Sequence, residues 1–236
     1  MRASVAHPEP KDAIKNGEHM TDFAAARLAM VDCQVRPSDV TAYPIIDAML
    51  SVKKEEFVPP EKRGIAYAGD HIELISGWVV LDGRTLGKLL DAVMVTPDDL
   101  VLDLGCGLGY VAAILGRLAA TVVAVESEDE LASSAAAILA QQDALNVIVE
   151  LGALAEGAPE HGPYDIVFFE GAVERVPESI IAQIKIGGKI AAIFMDGPTG
   201  QARIGVKTAN GVTWRRAFDA TAPVLDGFSI EKAFEF

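Results

Sequence analysis

The chain has 236 residues, 50% hydrophobic and 23% charged, which supports a folded domain with its own core and excludes disorder along most of its length. No uninterrupted apolar run approaches the ~20 residues of a membrane-spanning helix, so no membrane partner is expected. Acidic residues outnumber basic ones by 34 to 20, and the net charge of -14 repels phosphate backbones, which argues against nucleic acid as a general partner.

Residues 1–19 carry Pro8, Pro10 and Gly17 among polar side chains and read as a loose extension. Thr21 is the expected N-cap of a helix over Asp22–Val35, closed by Pro37. A second helix follows the cap-like Thr41 over Tyr43–Ser51, with Ile45, Ile46, Met49 and Leu50 on one face. Gly64 to Trp78 reads as loop with short extended pieces, and Thr85–Val95 as a third helix.

From Asp99 the periodicity changes. Leu100–Leu104, Thr121–Glu126, Val147–Leu151, Tyr164–Phe169 and Lys189–Met195 read as buried strands. Tyr110–Ala119, Glu128–Gln142 and Glu178–Lys185 read as the helices between them. This alternation predicts an α/β fold with a doubly wound, mostly parallel sheet. Arg203–Thr208 and Val212–Phe218 flank Ala209-Asn210-Gly211, a strong hairpin signal, and Phe228–Phe236 could add a further strand. The expected organisation after the extension is one domain over residues 20–236. It divides into a helical cap at 20–98, a core at 99–200 and a hairpin region at 201–236.

The chemistry concentrates in Asp103-Leu104-Gly105-Cys106-Gly107-Leu108-Gly109-Tyr110, where a strand runs through three alternate glycines into a helix. Gly105 and Gly107 let the backbone turn and approach a ligand, and Gly109 lets the helix pack closely on the strand. Glu126 closes the next strand seventeen residues after Gly109, where a carboxylate can accept both hydroxyls of a ribose. A dinucleotide fingerprint would need glycine where Tyr110 stands. The Asp-x-Gly-x-Gly-x-Gly pattern instead resembles motif I of class I S-adenosylmethionine-dependent methyltransferases. That resemblance implies a Rossmann-like core with S-adenosyl-L-methionine as cofactor, held by Asp103, Gly105, Cys106, Gly107, Gly109 and Glu126. Glu170 and Gly171, at the carboxyl end of the fourth strand, join this set.

Other chemistries find less support. Gly83-Arg84-Thr85-Leu86-Gly87-Lys88 lacks one spacer and the magnesium hydroxyl of a phosphate loop, and reads as a helix cap with a snorkelling lysine. His7, His19, His71 and His161 have no ligand spacing, so no metal is expected. Cys33 and Cys106 make no disulfide framework and suit a reducing cytoplasm, the expected location.

A closer resemblance extends over residues 25–195. Met30 to Arg36, Ile46 to Leu50, Glu56-Phe57-Val58-Pro59, Ala66-Tyr67, Thr96-Pro97 and Ile186-Gly187-Gly188-Lys189 are similar, in order and spacing, to protein-L-isoaspartate O-methyltransferases. The resemblance implies methyl transfer to an isoaspartyl carboxylate of damaged protein. Two segments depart from it. Val79-Val80-Leu81 stands where the family has Thr-Ile-Ser, so the hydroxyls expected beside donor and acceptor are missing at Val79 and Leu81. Ala153 replaces an acidic residue near the adenine. No catalytic side chain is therefore assigned, although Arg84 can supply a bidentate carboxylate donor. Two alternatives stay open: the same fold with another, smaller acceptor, and a non-catalytic cofactor-binding or interaction protein.

Overall fold

The computed structural model describes residues 22–230. The extension at 1–19, Thr21, and residues 231–236 of the possible last strand lie outside the described residues.

Helix α1 (Phe23–Met30) is capped by Asp22, whose carboxylate accepts from the Ala25 N–H at 3.0 Å. Helical backbone continues as a wide π turn over Val31–Val35 and a tight 3-10 turn over Arg36–Ser38. Pro37 sits in the first turn of that last piece, where its missing N–H is harmless, and the chain breaks at Asp39 in the left-handed region. Helix α2 (Tyr43–Ser51) buries Ile45, Ile46, Ala48 and Met49. Its N-cap is Ala42 rather than Thr41, and Pro44 in the first turn starts it without a side-chain cap.

Two 3-10 turns, Lys54–Phe57 and Pro60–Ile65, lead to a hairpin of β1 (Ile72–Ile75) and β2 (Trp78–Val80). Helix α3 (Gly83–Val93) begins two residues before the expected Thr85, because Asp82 accepts from the Thr85 N–H at 2.9 Å. Lys88 does snorkel, lying over the Phe218 ring at 5.1 Å.

The core alternates β3 (Leu100–Leu104), α4 (Tyr110–Leu118), β4 (Thr121–Glu126), α5 (Asp129–Gln141), β5 (Val147–Leu151), β6 (Tyr164–Val173), α6 (Glu178–Ala182) and β7 (Ile184–Asp196). Helix α6 is shorter than the expected Glu178–Lys185 because Ile184 already pairs with Tyr164 as the start of β7. Strands β8 (Thr199–Thr208) and β9 (Gly211–Asp219) form the anticipated hairpin. The seven-stranded sheet runs β5-β4-β3-β6-β7-β8-β9, parallel through β7 and antiparallel beyond it. Phe228 starts no strand. It is buried and packs edge-on against Phe169 at 5.1 Å, while the bridge to β6 comes from Val224 at Ala172.

One hydrophobic cluster joins cap residues such as Met49, Phe57 and Leu86 to Val101, Val122 and Ala191 of the sheet. The opposite face buries Leu102, Val123, Phe169 and Leu225. Strand β3 pairs with β4 on one side and β6 on the other. The strand order reverses there, from β3-β4-β5 on one side to β6-β7 on the other, and ligands of open α/β sheets lie at the carboxyl ends of the strands at such a point.

Candidate functional site

Strand register brings three carboxylates to that switch point. Asp103 lies across from Ala124 of β4 and Phe168 of β6, so Glu126 and Glu170 each follow two residues later on its neighbours. Glu170 and Gly171 lie inside β6, which runs on to Val173, rather than in a solvated loop after it. Asp103 and Glu126 are fully buried and Glu170 is 3% exposed.

Burial pushes the Asp103 carboxyl up to about 7, opposed by its hydrogen bond with Glu170 and aided by the Glu126 charge. Burial, then the neighbouring Asp103, pushes Glu170 well up too. The two stand close enough to share a proton. As bare carboxylates, Asp103 Oδ1 and Oδ2 and Glu170 Oε1 have no donor among the described residues. Buried acceptors without donors are costly, and they fit a ligand that brings N–H groups and positive charge. Among the described residues, no group of three His, Cys, Asp or Glu side chains is arranged to hold a metal ion.

Glu126 is differently placed. Burial raises its pKa, opposed by its hydrogen bonds. Its Oε2 accepts from the Gly107 N–H at 2.7 Å. Its Oε1 accepts from Ser127 N at 2.8 Å, Glu128 N at 3.1 Å and the Trp78 indole N–H at 2.9 Å. The carboxylate thereby ties the glycine loop to the β4–α5 turn and to the β1–β2 hairpin.

The glycine loop is left-handed at Gly105, Gly107 and Gly109. A Cβ on Gly107 would lie 2.7 Å from Leu74 Cδ1, and one on Gly105 2.9 Å from Leu225 Cδ2. Gly109 makes its close approach to Leu139 of α5, not to the strand: the glycine admits a second helix. Gly171 similarly admits Leu225. The Leu225 segment is pinned to β6 by Ala172 N to Pro223 O at 2.8 Å and Leu225 N to Ala172 O at 2.9 Å. Cys106 is buried, and burial together with the nearby carboxylates pushes its thiol well up, so it is no nucleophile.

Beside this site, Leu81 is fully buried and Val79 half-buried. The Leu81 carbonyl accepts from Lys54 Nζ at 2.9 Å, a buried contact that sequence reading missed. Arg84 is exposed and forms no ion pair among the described residues. It lines a cleft of about 830 Å³ with His71, Asp82, Gln201 and Arg216. His71 is also a contributor that spacing did not reveal. Its Nδ1 accepts from the Asp82 N–H at 3.0 Å and its Nε2 donates to the Thr221 carbonyl at 2.8 Å, fixing one wall of the cleft. A charged stretch such as Lys53-Lys54-Glu55-Glu56 gives no sign that its second lysine is buried; only tertiary packing does so.

Known proteins of one family resemble the chain along most of its length. The family model described as Protein-L-isoaspartate(D-aspartate) O-methyltransferase matches residues 29–213. A protein-L-isoaspartate O-methyltransferase of Koribacter versatilis (strain Ellin345) is 32% identical over 200 residues, covering 85% of this chain and 90% of that protein. One of Methylorubrum extorquens (strain PA1) is 32% identical over 190 residues, covering 80% and 82%. A solved protein-L-isoaspartate O-methyltransferase superposes with a TM-score of 0.75 at 22% identity, covering 85% of this chain and 66% of that one. A Plasmodium falciparum structure of the same enzyme class, in complex with S-adenosyl-L-homocysteine, gives 0.73 at 14% identity, covering 87% and 99%. At these identities the two structures establish a shared fold.

Proposed function

Since this chain belongs to the protein-L-isoaspartate(D-aspartate) O-methyltransferase family, we propose that it methylates the carboxylate of isoaspartyl residues in damaged protein. Family membership makes it an S-adenosylmethionine-dependent methyltransferase. When bound, S-adenosylmethionine supplies a methyl carbon on a sulfonium, which is a good leaving group.

The observation that carries the cofactor assignment is the buried Asp103–Glu170 pair at the switch point of the sheet, whose Asp103 Oδ1 and Oδ2 and Glu170 Oε1 have no donor among the described residues. Such a pair favours a cationic ligand, whose charge stabilises the ionised carboxylates. Glu126 is assigned to the ribose, and the backbone of Gly105 to Gly109 lies along the ligand. The acceptor carboxylate is itself the nucleophile, so the chain's tasks are alignment and exclusion of water. Arg84, free at the mouth of the cleft, receives and orients that carboxylate through its planar pair of N–H donors. Exposed Cys33 and buried Cys106, both unpaired, suit a reducing cytoplasm, where we place the protein.

A second acceptor class is supported by Val79 and Leu81, which present no hydroxyl beside the site. The test has two stages. Titration calorimetry with S-adenosyl-L-homocysteine should give binding for wild type and roughly ten- to hundredfold weaker binding for Asp103→Asn, the value of a hydrogen bond to a charged group. Methyl transfer from labelled cofactor to an isoaspartyl peptide should then show an elevated KM in Arg84→Ala with unchanged cofactor affinity. Equal cofactor affinity in wild type and Asp103→Asn would remove the pair from the site. Binding without transfer to the peptide would establish the second acceptor class.

A further inference from the structure

The Glu126 carboxylate already holds four donors. Oε1 accepts from Trp78 Nε1, Ser127 N and Glu128 N, and Oε2 from Gly107 N. A carboxylate offers about four lone-pair positions over its two oxygens. A ribose diol that donates one hydroxyl to each oxygen must therefore take over a position on Oε1. Ser127, Glu128 and Gly107 contribute backbone N–H groups held by the β4–α5 turn and the glycine loop. Trp78 alone contributes a side chain, and it comes from outside the central sheet.

Trp78 is half-buried at the start of β2. The hairpin carrying it is a separate two-stranded sheet with an irregular register between Glu73 and Ile75, turning at Gly77 in the left-handed region. A buried residue of the same hairpin, Leu74, rests on the glycine loop above Gly107. One small hairpin thus covers both the acid and the loop, using an indole N–H and a leucine methyl. We propose that Trp78 is a displaceable occupant of the ribose position. Its indole holds the Glu126 oxygen that a nucleoside diol takes, and it withdraws from Glu126 when the diol binds. The inference rests on the assignment of Glu126 to the ribose.

Competition of this kind lowers apparent affinity by the fraction of molecules in which the indole is engaged. Removing the donor should then tighten binding. Phenylalanine keeps most of the apolar contact and cannot donate, so Trp78→Phe should bind S-adenosyl-L-homocysteine about tenfold more tightly than wild type by calorimetry. The chain has two tryptophans, and Trp214 stands against Phe194 on β9. Titrating S-adenosyl-L-homocysteine should shift the tryptophan emission of wild type and of Trp214→Phe to the same extent. Trp78→Phe should show no shift. Trp214→Phe carries the test even if Trp78→Phe folds poorly, because its one remaining indole is the reporter. Unchanged or weaker affinity in a folded Trp78→Phe, or ligand binding to Trp214→Phe with no change in emission, would overturn the proposal. Glu126→Gln separates the two layers. Wild-type affinity in that variant would remove Glu126 from the ribose site, and the Trp78 inference with it. Weakened affinity there, with no gain in Trp78→Phe, would sink the Trp78 inference alone.

Discussion

Lys54 Nζ lies 2.9 Å from the carbonyl oxygen of Leu81, with the whole lysine buried and its ammonium 5.4 Å from the centre of the Tyr110 ring. One contact therefore links the cap, the turn before α3 and the helix that opens after the glycine loop. Burial pulls the Lys54 pKa down to about 8 from 10.5, with the charge of Asp82 opposing. Between those two values the unfolded chain binds more protons than the folded one, so this group makes stability rise with pH. Lys54→Met removes the titration. The stability of wild type relative to Lys54→Met should climb between pH 8 and 10.5, on the order of 3 kcal/mol in all. Urea unfolding at several pH values measures it, and parallel profiles for the two proteins would show the ammonium to be well solvated.

The Asp103–Glu170 pair gives the opposite slope. Because the Asp103 carboxyl is raised from 3.8 to about 7, its contribution to stability is full below 3.8 and is lost as the pH rises through 7. Asp103→Asn carries no such proton, so its stability should gain on wild type across that interval. A cationic ligand favours the ionised pair. Binding of S-adenosylmethionine near pH 6 should then release protons, seen as a binding enthalpy that varies with the ionisation heat of the buffer. An enthalpy independent of buffer would mean that the pair is already ionised before the ligand arrives.

Gly107 combines a φ of 55° with a Cβ position 2.7 Å from Leu74 Cδ1. Gly107→Ala should cost about 1–2 kcal/mol from the left-handed backbone alone. Leu74 presents the end of a flexible side chain and can move aside. In a double-mutant cycle with Leu74→Ala, the coupling should therefore stay under about 0.5 kcal/mol. A coupling above that would make the side-chain clash, not the backbone, the reason for glycine here.

The Val79 and Leu81 positions bear on turnover. Isoaspartyl peptide should be methylated weakly by wild type, and on the order of tenfold or more faster by Val79→Thr with Leu81→Ser, since a single oriented donor in a transition state is worth ~10²–10³ in rate. Leu81 is fully buried, so the double variant should also lose about 2–5 kcal/mol of stability, as large-to-small core changes do. Fast wild-type transfer with no gain in the variant would show these hydroxyls to be dispensable.

What the sequence showed and what it hid divide along a physical line. Strands β3, β4 and β5 are readable to the residue, because each is a short, mostly apolar run rich in valine and leucine that is ended by glycine or an acid. The glycine loop and the acid after it were readable because their backbone requirement is local. Glu170 reads as a strand end, yet β6 carries on past it, because Ala172 and Val173 still pair with Ile193 and Phe194 of β7 and Ala172 bonds the Pro223–Leu225 segment, partners that lie far off in the sequence. Trp78 meets Glu126 across 48 residues and Lys54 meets Leu81 across 27, and neither pairing leaves a periodic trace. Thr21 and Thr41 looked like caps, but Asp22 and a proline in the first turn set those helix starts.

Leu225, which rests on Gly105 and Gly171, follows Gly105 by 120 residues in the chain. During synthesis the glycine motif therefore emerges long before the segment that packs over it. A nascent chain halted before Pro223 has the three carboxylates but not the Pro223–Ala172 and Leu225–Ala172 bonds that fasten the roof to β6. The glycine loop therefore meets its last packing partner only when almost the whole chain has emerged, and that partner is fastened by backbone bonds to β6 rather than by a strand of the sheet's own hairpin.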